Sequence, residues 1–318
     1  MSRADTAKLP GVFETIATAA SALIAQPWLL LLSIVVDVYL WLGVRLSPAA
    51  IALPLRQLAA GQPGAEAAWL TEGLTESAQS GDLAVVVGLF IPSLVTGLGT
   101  SALPGPWPRP VLDPGGLGAS VLLAVGLAIV GVTGLMTLGA MLARVVRGVS
   151  PLGDRLARSA VLATARYLAF QLMAVLAIAI LVVPASLVGG LLLLFGLNLM
   201  PLILLVCSLL AITAVVVFAF VGEAILVAEV GPLRAMALSF GVVQRNPWTT
   251  LGLLAVLWIV LLTVPELVGR LTETSLGIAL AIVTYAFVAT SLALARIQFF
   301  ADRLAYWRAG APPVRRSS

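Results

Sequence analysis

A single carboxylate lies deep inside the first long apolar run of this sequence. Asp37 stands in "SIVVDVYLWLG", about 15 Å from the start of that run at a helical rise of about 1.5 Å per residue. Charge in hydrocarbon is costly, so such residues are usually paired or functional. Two interpretations stay open. Asp37 is the proton or solute site of a transporter or channel, or its carboxyl is hydrogen-bonded to Thr, Tyr or Gln of a neighbouring helix; the second is preferred.

Glu223 and Arg296 are the second candidate group for chemistry within the membrane. Each lies about one turn inside the same end of an apolar run, Glu223 on the fourth run and Arg296 on the sixth. A buried charge is tolerated mainly when an opposite charge neutralises it. We therefore predict an ion pair between these side chains that fixes the two helices.

Arginines cluster in two of the segments between apolar runs. The members are Arg144, Arg147, Arg155, Arg158, Arg166, Arg234 and Arg245. Guanidinium groups bind phosphate oxygens through parallel hydrogen bonds, and basic clusters beside a span attract anionic lipid headgroups. We predict membrane lipids with anionic headgroups as the partners of these arginines, or else an unidentified membrane protein that the same segments organise.

The side chains that acid–base and metal chemistry need are almost absent. The chain has no histidine, one cysteine, Cys207, and one lysine, Lys8. These counts exclude internal disulfides, Cys/His zinc sites and histidine-ligated haem. A nucleophile would also lack a base. The carboxylates at 66–82 suit a solvated face better than a metal site. We predict no catalytic residue, no metal, no cofactor and no nucleic-acid partner, and hence no enzyme.

The composition predicts an all-α, polytopic integral membrane protein. Apolar residues make up 61% of the 318 residues and charged residues 10%, which is more hydrocarbon than a soluble core hides. At about 20 residues per crossing, six runs are long enough to span: 27–45, 117–143, 168–195, 199–226, 248–268 and 276–298. A seventh run, 83–102, contains Pro92 at its middle and could be a span or a broken segment.

The distribution of charge decides between six and seven spans. Cytoplasmic loops are enriched in Lys and Arg, so the arginine-rich 144–167 connection and the basic tail at 301–318 are expected in the cytoplasm. The acidic 46–82 loop suits the outside, which makes 83–102 non-spanning and part of an external excursion at 46–116. We predict six spans with both termini cytoplasmic, in the cell membrane.

A similar construction occurs three times along the chain. Segments 11–28, 150–170 and 229–248 each predict an amphipathic helix on the cytoplasmic surface of the membrane, followed by a transmembrane hairpin. The predicted parallel repeats are 10–143, 150–227 and 231–300 within a single membrane domain, 1–318. In the third segment Leu233, Met236, Phe240 and Val243 share one face, and Arg234, Gly241 and Arg245 share another. The repeats are interpreted as duplication of a stable hairpin or, alternatively, as a pseudo-threefold pocket or pore.

The stretch "AEVGPLRAMALSFGVVQRNPW" resembles the membrane-domain family associated with glycerophosphoryl diester phosphodiesterases and its stand-alone bacterial relatives. The matching positions are Glu229, Gly231, Pro232, Ala235 and Ser239. The resemblance implies a six-span membrane fold in a bacterial inner membrane. The soluble phosphodiesterase domain is absent, and no histidine is present to match its catalytic acid–base pair, so the hydrolase activity is not implied.

Two classes of function remain from the sequence. The preferred one is a non-enzymatic membrane protein that interacts with lipids or organises partners through its basic segments. The alternative is a small-solute or lipid transporter or channel with Asp37 as its intramembrane site.

Overall fold

The structure is a computed structural model that describes residues 9–61, 65–98, 107–195 and 199–309. It is almost wholly helical, as predicted. Its α-helices are α1 (Val12–Ala25), α2 (Leu31–Leu42), α3 (Ala49–Ala60), α4 (Ala65–Ser80), α5 (Val85–Gly88), α6 (Leu94–Gly97), α7 (Leu117–Val146), α8 (Leu156–Leu194), α9 (Met200–Val217), α10 (Val221–Ala228), α11 (Pro232–Arg245), α12 (Pro247–Gly269) and α13 (Ser275–Arg308). A parallel pair of two-residue strands, β1 (Arg45–Leu46) and β2 (Val111–Leu112), joins two loops.

Five stretches of the described chain are helical, apolar and long enough to cross a membrane: Leu117–Val146, Leu156–Leu192, Pro201–Ala228, Pro247–Gly269 and Ser275–Arg308. A sixth is added if α1 and the helical segment Pro27–Leu42, bent by 101° at the break between them, are counted as one span. The prediction of an all-α, multi-pass membrane protein is confirmed.

Proline sets the bend before α2 and the break before α12. Pro27 follows α1 and opens a 3-10 turn, Pro27–Leu30, that leads directly into α2. The predicted first span, 27–45, is therefore a helix that ends earlier, at Leu42. At the start of α12, Asn246 leaves helical geometry, with φ −132° and ψ 50°, as expected for a residue that precedes proline.

The second predicted interfacial helix is not separate from the span that follows it. The sequence places a surface helix at 150–170 and a span at 168–195, but α8 is one continuous helix, Leu156–Leu194. The physical reason is the lack of a proline at Arg166–Tyr167, the position that corresponds to Pro247–Trp248. At about 1.5 Å per residue α8 is about 58 Å long, whereas the hydrocarbon layer is about 30 Å thick.

Two other predicted spans differ from the observed helices. The predicted span 199–226 consists of α9 and α10, separated by a turn at 218–220. The predicted span 276–298 continues as α13 to Arg308, so the first part of the predicted tail is helical. Residues 310–318 of that tail lie outside the described residues.

The predicted external excursion contains a helical hairpin and a broken segment. The hairpin consists of α3 and α4, which pack beside each other. The apolar run at 83–102 forms two short helices, α5 and α6, and its last residues, 99–102, lie outside the described residues. Pro92 lies between the two helices, where it prevents a single continuous one.

The chain divides into two compact units. The first comprises Met1–Thr18, Gly139–Ala255 and Leu294–Ser318, and Phe220 stacks against Phe299 in its core, with ring centroids 5.6 Å apart. The second comprises Ala19–Leu138 and Val256–Ala293. Its core contains Trp41, Leu94, Val268, Ile278, Ala281, Ile282, Tyr285 and Ala289.

Candidate functional site

The end of α10 carries a strained residue held by two arginines of the first unit. Glu229 follows α10 with φ 53° and ψ 35°, a left-handed conformation that costs a residue with a Cβ about 1–2 kcal/mol. Arg147 Nη1 lies 3.1 Å from Glu229 Oε1. Arg166 Nη1 donates to the Glu229 carbonyl oxygen at 2.8 Å. Two of the seven predicted lipid-binding arginines therefore meet at Glu229.

A cavity of about 60 Å³ lies beside this cluster, between the end of α7, the start of α8 and the end of α10. Its polar lining is Arg147, Ser159, Arg166 and Glu229. Its apolar lining is Ala140, Leu162, Ala163, Ile225 and Leu226. With two guanidinium groups and one carboxylate, the polar wall carries a net positive charge and can bind an anion.

The other predicted lipid-binding arginines lie apart from this cavity. Arg144 Nε donates to the Ser150 carbonyl oxygen at 2.7 Å, which fixes the turn after α7. Arg155, Arg158 and Arg234 are exposed. Arg245 lies over the ring of Trp307, 3.9 Å from its centroid, a cation–π contact. The seven arginines therefore form several groups, of which Arg147 and Arg166 alone line the cavity.

The predicted pair of Glu223 and Arg296 is formed within the first unit. Arg296 Nη2 lies 2.8 Å from Glu223 Oε1 and also donates to the Ala219 carbonyl oxygen at 2.6 Å. Glu223 is buried, whereas the Arg296 side chain is 36% exposed. Arg296 therefore connects α13 both to α10 and to the turn that precedes α10.

Ser239 completes the hydrogen bonding of the same turn. Its hydroxyl donates to the Val217 carbonyl oxygen at 2.7 Å and accepts from the Phe220 amide at 3.2 Å. A helix that breaks inside a membrane leaves backbone groups that only other protein groups can satisfy. This role of Ser239 could not be predicted from the sequence, because its partners in the turn lie 19 and 22 positions earlier in the chain.

The remaining motif residues shape α11. Gly231 is its N-cap and Pro232 its first residue, where the missing amide hydrogen costs nothing. The sequence placed Leu233, Met236, Phe240 and Val243 on one apolar face, but the buried residues are Ala235, Ser239, Val242 and Val243. That prediction was wrong in part, because the small residues Ala235 and Ser239 form the packed face. Leu233 and Phe240 are exposed.

Asp37 is fully buried and bonded through both carboxylate oxygens in the second unit. Oδ1 accepts from the Ser93 hydroxyl at 2.7 Å and from the Val95 amide at 3.3 Å, and Oδ2 accepts from the Leu94 amide at 3.1 Å. The donors belong to the start of α6 rather than to Thr, Tyr or Gln of a long helix. Sequence reasoning missed Ser93 because its partner lies 56 positions earlier in the chain.

A second buried carboxylate joins the two ends of the broken segment. Asp82 pairs with Arg109 and accepts from the Leu46 amide at 3.0 Å. Arg109 Nε donates to the Gly43 carbonyl oxygen at 2.9 Å. Residues 82 and 109 are therefore adjacent, and the chain between them returns to the place where it began. In the sequence, the only indication of this contact was the excess of acidic residues at 66–82.

No group of three or more His, Cys, Asp or Glu side chains that could hold a metal occurs among the described residues. No family model, curated protein or solved structure matches this chain.

Proposed function

We propose that the chain is a non-enzymatic, multi-pass membrane protein that holds anionic phospholipids against the arginine-bearing ends of α7 and α8. The observation that carries the proposal is the cavity where Arg147 and Arg166 meet. Arg166 lies just before the apolar part of α8, so its guanidinium belongs at headgroup depth. Arg158 in the first turn of α8 and Arg155 just before the helix are exposed, where they attract the anionic surface.

The exposed apolar side chains of α11 support the same proposal. Leu233 is 72% and Phe240 48% exposed, while the opposite face of α11 packs against protein. A helix with one packed face and one free apolar face suits the boundary between headgroups and acyl chains. We extend the proposal to six spans in three parallel repeats, with both termini cytoplasmic and the chain in a bacterial inner membrane.

The proposed kinship with the phosphodiesterase-associated membrane domain is supported by the contacts of its motif. Glu229 is held by Arg147, Gly231 and Pro232 begin α11, and Ala235 and Ser239 lie in its packed face. Each motif position thus contributes to one corner of the first unit. This concentration gives each of these residue types a structural role.

The transporter alternative has less support from the geometry. Every oxygen of the Asp37 carboxylate accepts a hydrogen bond from the segment around α6. A carboxylate that must bind a solute or exchange a proton needs a free lone pair directed into a cavity. Asp37 instead acts as the anchor of that segment.

The lipid-binding proposal is tested by native mass spectrometry of protein released gently from detergent. The wild type is expected to retain phosphatidylglycerol in preference to phosphatidylcholine of the same acyl chains. Replacing Arg155 and Arg158 together with Ala should weaken retention about thirtyfold, since each basic residue near an anionic surface contributes about 1 kcal/mol.

The matched control replaces two arginines assigned to the external side, Arg56 and Arg270, and should leave lipid retention unchanged. Equal retention of phosphatidylglycerol and phosphatidylcholine by the wild type would disprove the proposal. Equal losses in the two double variants would show a general effect of net charge and would also count against it.

A further inference from the structure

The cavity beside Glu229 is small and largely enclosed by protein. Its volume of about 60 Å³ accommodates about four water-sized groups, taking about 15 Å³ for each. A phosphate group consists of one phosphorus and four oxygen atoms, so it fills this volume. The rest of any lipid that carries the phosphate must extend out of the cavity.

The donors on the wall suit a phosphate with several terminal oxygens. Arg147 and Arg166 both line the cavity, and the Arg147 side chain is 42% exposed, which leaves it free to reorient. Arg147 Nη1 bonds a carboxylate oxygen of Glu229 in this structure. A phosphomonoester has three terminal oxygens, and two of them still accept hydrogen bonds when the third keeps a proton. It can therefore accept from both guanidinium groups while that proton faces Glu229.

Glu229 distinguishes between two kinds of phosphate. Glu229 lines the cavity, its side chain is 61% exposed, and its carboxylate, when ionised, only accepts hydrogen bonds. A phosphomonoester that retains one proton donates its P–OH to such a carboxylate, because the second phosphate proton is lost near pH 6 and binding beside an anion favours keeping it. A phosphodiester has no such proton, so the same carboxylate repels it.

We propose that this cavity is a subsite for the phosphate of a phosphomonoester, held by Arg147 and Arg166 and selected by Glu229. The inference rests on the proposed function and deepens it, because it singles out lipid phosphates with a free end, such as phosphatidate or a polyprenyl phosphate. Leu162 lines the cavity and is 43% exposed. It therefore gives the cavity an apolar edge along which the hydrocarbon chain of such a lipid can pass. Inorganic phosphate has the same chemistry and is the other source.

The test compares phosphatidate with phosphatidylglycerol of identical acyl chains by native mass spectrometry of the full chain. The wild type is expected to bind phosphatidate about tenfold more tightly, the value of one hydrogen bond to a charged group. Glu229→Gln replaces an acceptor oxygen by a donor and should abolish that preference while phosphatidylglycerol binding stays the same or improves. The control is Glu273→Gln, which changes an exposed acid at the other end of the spans and should keep the preference.

The two sources of phosphate are separated by competition. If millimolar inorganic phosphate does not displace phosphatidate, the natural ligand of the subsite is a lipid. If it does displace phosphatidate, the natural ligand is free phosphate. Both outcomes support a phosphomonoester subsite. Equal binding of phosphatidate and phosphatidylglycerol by the wild type overturns it, as does a preference that survives in Glu229→Gln.

The outcomes also separate this inference from the proposed function. If the wild type prefers neither anionic lipid to phosphatidylcholine, both fail. If it retains both anionic lipids equally, lipid binding stands and the subsite falls. Melting temperatures of both variants in detergent identify any that is misfolded. In that case Glu229→Asn replaces Glu229→Gln, because asparagine tolerates the left-handed conformation of this position, and it should also abolish the preference for phosphatidate.

Discussion

Asp37 is stabilised in the protein interior by donors from a single short segment. Three groups of residues 93–95 bond its two oxygens, and the residue is fully buried. Hydrogen bonds to a charged group contribute about 1.5–3 kcal/mol each, and an orphaned buried donor costs about 1–3 kcal/mol. Removing the carboxylate therefore both breaks these bonds and leaves backbone amides without acceptors.

Asp37→Asn is expected to lower the free energy of unfolding by about 3 kcal/mol. The reason is that the NH₂ group of asparagine is a hydrogen-bond donor and would face the hydroxyl and amide donors of residues 93–95. Thermal unfolding in detergent measures the effect. Asp154→Asn, at an exposed acid, is the control and should change little. A stable Asp37→Asn protein that loses solute flux in liposomes would contradict the anchoring role and support the transporter alternative.

The ion pair of Glu223 and Arg296 predicts that the two single substitutions lower the free energy of unfolding by different amounts. Arg296→Ala leaves both the buried Glu223 and the Ala219 carbonyl without this partner, so we expect a loss of about 3 kcal/mol. Glu223→Ala should cost less, because Arg296 is one-third exposed and keeps its bond to Ala219. The double variant should be more stable than Arg296→Ala alone. A double-mutant cycle of unfolding free energies checks this order, and strictly additive losses would contradict the pair.

At the scale of elements, close packing along α7 depends on one of its glycines. A Cβ on Gly131 would lie 2.8 Å from the Phe90 ring and 3.2 Å from backbone atoms of Val87. The same helix carries Gly126, beside which no atom lies within 4 Å. The two positions share a helix and a residue type, and they differ in whether the broken segment 83–98 packs on them.

Gly131→Ala should therefore destabilise the protein by about 1–2 kcal/mol, since the backbone at Val87 must move to make room. Gly126→Ala should be neutral or stabilising, because alanine favours helix by about 1 kcal/mol over glycine. Melting temperatures of the two variants in one detergent give the comparison. Equal melting temperatures would show that 83–98 does not pack on α7 as described.

The helices show where local sequence signals suffice and where they do not. Pro27 and the Asn246–Pro247 pair are local signals for a bend and a break that the structure contains. The lack of a proline at Arg166–Tyr167 is likewise a local signal for the continuous α8. No local signal indicates that α9 and α10 separate at 218–220. The break at 218–220 depends on Ser239 and Arg296, which supply its hydrogen bonds from distant positions.

At the scale of the whole molecule, the pairing of Asp82 with Arg109 constrains the topology. The segment between them begins and ends beside β1, so we expect it to enter the membrane without crossing it. Phe90 packs on Gly131, about 21 Å along α7 from Leu117. We propose that the segment runs inward along α7 and returns to the same side.

Labelling with an impermeant thiol reagent tests this path in a background with Cys207→Ala. Single cysteines that replace Gln79 and Trp107, both exposed, should react from the same side of the membrane. A cysteine that replaces Ile91, which is buried, should be protected. Reaction of the two flanking positions from opposite sides would make 83–108 a span.

Composition and hydropathy were enough to predict the class of the molecule, because hydrocarbon content follows directly from residue types. The candidate site was predicted only in pieces. The importance of Arg147, Arg166 and Glu229 was inferred separately, from a charge cluster and from a motif, and their meeting at one cavity depends on contacts across 82 and 63 positions of chain. Pairings over such distances have no local signature.

The turn at 218–220 also has a consequence for the order in which the protein is made. The carbonyls of Val217 and Ala219 are bonded by residues 22 and 77 positions later in the chain. At about 5–20 residues per second of synthesis, Arg296 emerges about 4–15 seconds after Ala219. During that interval the Ala219 carbonyl lacks this donor. A ribosome that stalls before Arg296 therefore leaves a nascent chain in which the turn between α9 and α10 is incompletely hydrogen-bonded.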